Sequence, residues 1–142
     1  MSTKEHKIGE IVAEHHRREG PLLPILHAVQ AEFGCIDGES ETLVAAGLNL
    51  SRAEVHGVVS FYHDFHAESD PRPEVQICRA EACKARGVED IIGAAAEAAG
   101  DRVKLKTVYC LGLCSAGPSA RVGDRLHARL DGPALAKIIE NA

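Results

Sequence analysis

The sequence predicts an α+β chain, with a helical bundle over residues 1–68 followed by a small α/β unit over residues 74–142. Three observations predict it. Apolar residues recur every three or four positions through the first half, in runs bounded by capping residues and glycines. The second half opens on alternating strand-like residues, then an alanine-rich helical stretch, then alternation again. Between them Ala67–Pro73 is polar and carries two prolines, which reads as a hinge.

In order, Ser2-x-x-Glu5 reads as a capping box, and Ile8, Ile11, Val12 and His15 follow at helical spacing. Arg17 and Arg18 suit the last turn of that helix and Gly20 stops it; nothing marks it as more than a solvated amphipathic helix. The second helix has Pro21 and Pro24 in its first turn, a stripe of Leu22, Ile25, Leu26, Val29 and Phe33, and Gly34 at its end. Glu39 to Leu48 gives a short third helix with Leu43, Val44 and Leu48 on one side. Ser51-x-x-Glu54 opens the fourth, whose inner face is Val55, Val58, Val59, Tyr62 and Phe65. Four such helices must pack together to bury those stripes.

The second half reads as strand Glu74–Cys78, helix from Gly87 to Ala99, and strand 103–109. A strand–helix–strand unit favours parallel pairing with a right-handed crossover. Pro118–Val122 and Arg125–Leu130 then form a hairpin across Gly123-Asp124, and Gly132-Pro133 opens a last helix with Leu135, Ile138 and Ile139 facing in. That order is the order of a small thioredoxin-like sheet.

Composition narrows the function. A net charge of -5 argues against nucleic acid, which favours a basic face. With 4% aromatic residues and no Trp, no base-stacking surface is evident. There is no Gly-x-Gly-x-x-Gly and no Walker lysine, so no nucleotide loop. The start of the chain lacks a secretory pattern and no apolar run reaches a membrane span, so a cytoplasmic protein is expected.

Four cysteines carry the chemistry: Cys78 and Cys83 as Cys-x4-Cys, Cys110 and Cys114 as Cys-x3-Cys. Each pair begins where a strand gives way to a loop of small residues. Parallel strands put both loops at one sheet edge, where open α/β sheets keep their sites. In a reducing compartment disulfides are disfavoured, and neither pair has the Cys-x-x-Cys spacing of a thiol exchanger. Four soft thiolates suit zinc or an iron–sulfur cluster. Ala80, Ala82, Gly112, Ser115, Ala116 and Gly117 let the main chain approach a buried anion, which favours the cluster modestly. The fifth thiol, Cys35, reads as a packing residue. Histidines are frequent in the first half, and His63 and His66 share the predicted fourth helix, but no ligand set recurs there.

At these residues a resemblance enters. Cys-x4-Cys, then Cys110-Leu111-Gly112-Leu113-Cys114, then the Gly117-Pro118 strand resemble the thioredoxin-like [2Fe–2S] subunit of respiratory NADH dehydrogenase. Leu22–Gln30 resembles the second helix of that family, and Val55-His56-Gly57-Val58-Val59-Ser60-Phe61-Tyr62 its helical signature. Phe61-Tyr62-His63-Asp64-Phe65 and the short length resemble most the gamma subunit of cytoplasmic NAD-dependent formate dehydrogenases; NAD-reducing hydrogenases contain a similar subunit. The resemblance implies that Cys78 and Cys83 hold one iron and Cys110 and Cys114 the other. It implies an electron-transfer subunit without catalysis of its own, docked by its helical half on a subunit that binds FMN and NAD. In a formate dehydrogenase a molybdenum-containing alpha subunit would complete the assembly. A zinc-stapled interaction module is the reading from another class.

Overall fold

The computed structural model describes residues 1–142, as seven helices and one four-stranded mixed sheet. The chain divides into two compact units, Met1–Pro71 and Arg72–Ala142.

The first unit holds α1 (Thr3–His15), α2 (Leu22–Phe33), α3 (Gly38–Leu48) and α4 (Arg52–Phe61). Both expected capping boxes form: Ser2 and Ser51 accept from the backbone N–H groups of Glu5 and Glu54, whose carboxylates reach back. Their faces meet in one core of Ile8, Val12, Ile25, Leu26, Val29, Ile36, Val44, Ala45, Val55, Val59 and Phe65. The first helix is therefore more than a solvated one, since Ile8 is 1% exposed. Gly47 admits it: a Cβ there would stand 3.0 Å from a Val12 methyl.

Three expectations for this unit are corrected. Helix α1 ends at His15, so Arg17 and Arg18 lie past its last turn. Helix α3 begins one residue earlier, because the Asp37 carboxylate caps it through Ser40 N–H at 2.9 Å. Helix α4 stops at Phe61, leaving Tyr62 extended. The Gln30 side chain takes over there: it donates to Asp64 O and accepts from His66 N–H at 2.8 Å. The turned-back segment drops Phe65 into the core against the His27 ring, 4.8 Å between centroids. Tyr62 stays 42% exposed and Phe61 74%.

The second unit holds β1 (Glu74–Cys78), α5 (Glu81–Ala85), α6 (Val88–Ala99), β2 (Lys104–Val108), β3 (Ala120–Val122), β4 (Arg125–His127) and α7 (Gly132–Glu140). Strand order is β2-β1-β3-β4. Strands β1 and β2 are parallel, Glu74 opposite Lys104 and Cys78 opposite Val108. Strands β3 and β4 are antiparallel to their neighbours, so Ile77 faces Ala120 and Val75 faces Val122. Helices α6 and α7 bury Val88, Ala95, Ala99, Leu135 and Ile139 with Val75 and Ile77 of the sheet. The hairpin strands are shorter than expected. Beyond His127 the chain leaves the sheet, with Arg129 at φ 51°, and its N–H groups bond back: Arg129 to Ala116 O at 2.7 Å, Leu130 to Pro118 O at 3.0 Å. The Gly117-Pro118 peptide is cis.

Candidate metal centre

The parallel register brings the exits of β1 and β2 side by side, and β3 enters beside them. Cys78 closes β1, and its N–H donates to Ser119 O at 3.0 Å. The next N–H, of Arg79, donates to Val108 O at 2.9 Å and ties the two strand ends together. Glu81–Ala85 then makes one tight helical turn, α5, which carries Cys83 inward. Both thiols of this pair are 2% exposed.

The second pair is built differently. Past β2 the chain bends sharply at Cys110, which sits at φ 125°, a conformation that costs a non-glycine residue energy and is held only where surroundings demand it. Gly112 continues the bend at φ 79°, and its N–H donates to Cys110 Sγ at 3.3 Å. A single 3-10 turn, Cys114–Ala116, ends the loop and packs on α5. Cys110 and Cys114 are exposed, with sulfurs 3.5 Å apart.

The thiols sense one another. Burial, then the hydrogen bond from Ser119 opposing it, then Cys78 set the Cys83 thiol, which ends above its usual value. Gly112 N–H holds Cys110 below the usual range; Cys110 pushes Cys114 up, with a smaller push from Cys83. Cys114 thus answers to a sulfur from each pair. Gly117 explains the closeness: a Cβ on it would lie 2.8 Å from Cys83 Sγ, a contact no side chain could occupy.

Four soft thiolates suit either zinc or an iron–sulfur cluster. The thiols stand as two pairs at one rim, with small residues and a backbone N–H beside them. Arg79, between the thiols of the first pair, is tied to Glu89 of α6 by Nε–Oε1 at 2.9 Å, and each holds the other charged.

The other expected features resolve simply. Cys35 lies in the first unit, half-buried. His63 and His66 follow the end of α4 and share no helix face. His56 Nδ1 pairs with the buried Glu41 carboxylate at 2.8 Å, which Arg52 also contacts at 3.4 Å. Sequence reasoning missed Ser119, which bonds into the site across 36 residues and carries no local signal. Asp37 was findable: an Asp just before a periodic run is an N-cap signature.

Residues 8–142 match the family model described as thioredoxin-like [2Fe-2S] ferredoxin. The NADP-reducing hydrogenase subunit HndA of Solidesulfovibrio fructosivorans is 29% identical over 132 residues, 87% of this chain and 77% of that one. A NADH-quinone oxidoreductase subunit of Aquifex aeolicus is 28% identical over 127 residues, 83% of this chain and 79% of that one. Among solved structures, the air-oxidized NAD+-reducing [NiFe]-hydrogenase superposes with a TM-score of 0.66 at 21% identity, over 82% of this chain. This chain spans only 22% of that hydrogenase chain, and the likeness is one of fold. The protein belongs to the thioredoxin-like [2Fe-2S] ferredoxin family, whose members bind a [2Fe-2S] cluster.

Proposed function

We propose that this family member is the one-electron relay of a nicotinamide-dependent oxidoreductase complex, with Cys78 and Cys83 on one iron and Cys110 and Cys114 on the other. The observation that carries the ligand assignment is the meeting of two thiol pairs at one sheet edge, with Cys83 Sγ against the chain at Gly117. When bound, a four-thiolate [2Fe-2S] cluster supplies a one-electron couple. The chain does the rest. Cys78 and Cys83 exclude water from one side, Cys110 and Cys114 leave the other open to a partner, and Gly112 N–H places a donor on a negatively charged sulfur. Short loops anchored on strand ends keep the ligands fixed between oxidation states, so little reorganises as an electron passes.

The relatives named above are subunits of hydrogenases and NADH-quinone oxidoreductases, and they favour an assembly of that kind. The narrower reading, a formate dehydrogenase with a molybdenum-containing subunit, stands on the resemblance in length and at Phe61–Phe65. In either assembly the direct partner is a subunit that binds flavin and NAD. The exposed Phe61 and Tyr62, stacked edge-to-face at 5.1 Å, give the helical unit an aromatic pair to dock with. No helix is long and apolar enough to cross a membrane.

Purified protein should show broad visible absorption with two irons and two acid-labile sulfides per chain. A colourless protein holding one zinc overturns the assignment.

A further inference from the structure

One polar side chain is buried in the second unit with its hydroxyl turned to a ligand. Ser119 is 1% exposed, and its Oγ lies 3.7 Å from Cys83 Sγ. The same residue's carbonyl accepts from Cys78 N–H at 3.0 Å, so Ser119 touches both members of the buried pair. Its place is fixed: it begins the approach to β3, one residue before Ala120 pairs with Ile77.

We propose that Ser119 is a positioning residue that sets the electron affinity of the centre through the sulfur of Cys83. The inference rests on Cys83 being a ligand, as proposed above. A ligated sulfur carries no proton, so the hydroxyl must donate and the sulfur accept. An added electron raises the negative charge shared by the sulfurs. A fixed O–H dipole stabilises the more negative state more, and hydrogen bonds to sulfur shift cluster potentials in that direction. The effect is concentrated because Cys83 is shut off from water, whose dipoles would otherwise dilute it. The exposed pair differs: solvent reaches Cys110 and Cys114 and the fixed donor is a backbone amide. Ser119 is thus the side-chain lever on the dry side of the centre.

The test is a redox titration of the cluster-loaded full chain, followed by electron paramagnetic resonance, with mediators supplying and taking the single electron. Ser119→Ala should keep the visible bands and become up to about tenfold harder to reduce, which for one electron is 59 mV. A hydroxyl with only a packing role would change the melting temperature and leave the midpoint alone. A coloured Ser119→Ala with the wild-type midpoint therefore overturns this inference while leaving the ligand assignment intact. If Ser119→Ala is colourless, Ser119→Gly replaces it: a lowered midpoint supports the proposal, and an unmoved one overturns it. Loss of colour from both variants makes Ser119 an assembly residue and also overturns it. A colourless wild-type protein removes the ligand assignment and this inference together.

Discussion

The two units are of equal length and are held together in opposite ways. The helical unit builds its core from local pieces: four helices, three of them N-capped by a side chain next to them, with their apolar stripes turned inward. The sheet unit builds from distant pieces, pairing residue 74 with 104 and 77 with 120. Their charges differ too. Residues 1–71 carry 12 Asp and Glu against 5 Lys and Arg, whereas residues 72–142 carry 9 against 11. A strongly acidic helical unit suits recognition by a basic face, which weakens as salt rises. A near-neutral sheet unit suits a buried anion, since it adds little repulsion. Local assembly thus goes with the acidic helical unit and long-range assembly with the unit that carries both thiol pairs.

The comparison breaks most visibly at the centre. Cys110→Ser should abolish the visible bands and lower the melting temperature of the sheet unit, because a centre that binds only the folded state is part of its stability. The helical unit should keep its helicity, followed by circular dichroism during the melt. Joint unfolding of both units would show that they are not independent.

The converse change is Ile25→Ala, at a position with no exposure. It should cost about 2–5 kcal/mol in denaturant titration and leave the absorption of the centre intact. Bleaching by this change would sink the division of labour.

Phe61→Ala probes docking without stability. It should weaken binding to the flavin-bearing partner by about 2 kcal/mol, roughly thirtyfold, as an aromatic anchor does. The fold should shift by less than about 0.5 kcal/mol. Calorimetric titration with the partner, at two salt concentrations, reads both terms.

The smallest effect is at Asp37. Its carboxyl is drawn down to about 2, by Lys4 first and Ser40 N–H next. Since the folded value lies below the ordinary one, the contribution is fully present above about pH 4 and disappears as pH falls toward 2. Asp37→Ala should cost about 1 kcal/mol at neutral pH, the worth of an N-cap, with the surface ion pair to Lys4 adding little. The gap to wild type should close on acidification; a gap independent of pH would mean that the cap is not ionic.

Much of this was legible in the sequence because it is local or periodic. The capping boxes, the bounds of β1 and α6, the Gly123-Asp124 turn and the shared edge of the two cysteine loops follow from short patterns. Helix α5 was not legible, since five residues show no period. The end of α4 was misread because Tyr62 and Phe65 continue its spacing, while the competing bonds come from Gln30, more than thirty residues away. The hydroxyl of Ser119 and the pairing of Glu41 with His56 are hidden for the same reason: side chains meet across the fold, and no window of sequence contains both partners.

The strand register carries one more consequence. Both thiol loops leave the sheet at the end where Cys78 lies opposite Val108, whereas the turn after α6 and the Gly123-Asp124 turn lie at the other end. Insertions of a few residues at 100–102 or 123–124 should therefore be absorbed as longer surface turns. A single residue added between 110 and 117 should not be absorbed, because it would displace a sulfur. Variation in chain length among natural homologues should accumulate on the rim of the 100–102 and 123–124 turns and be scarce on the rim of the thiol loops.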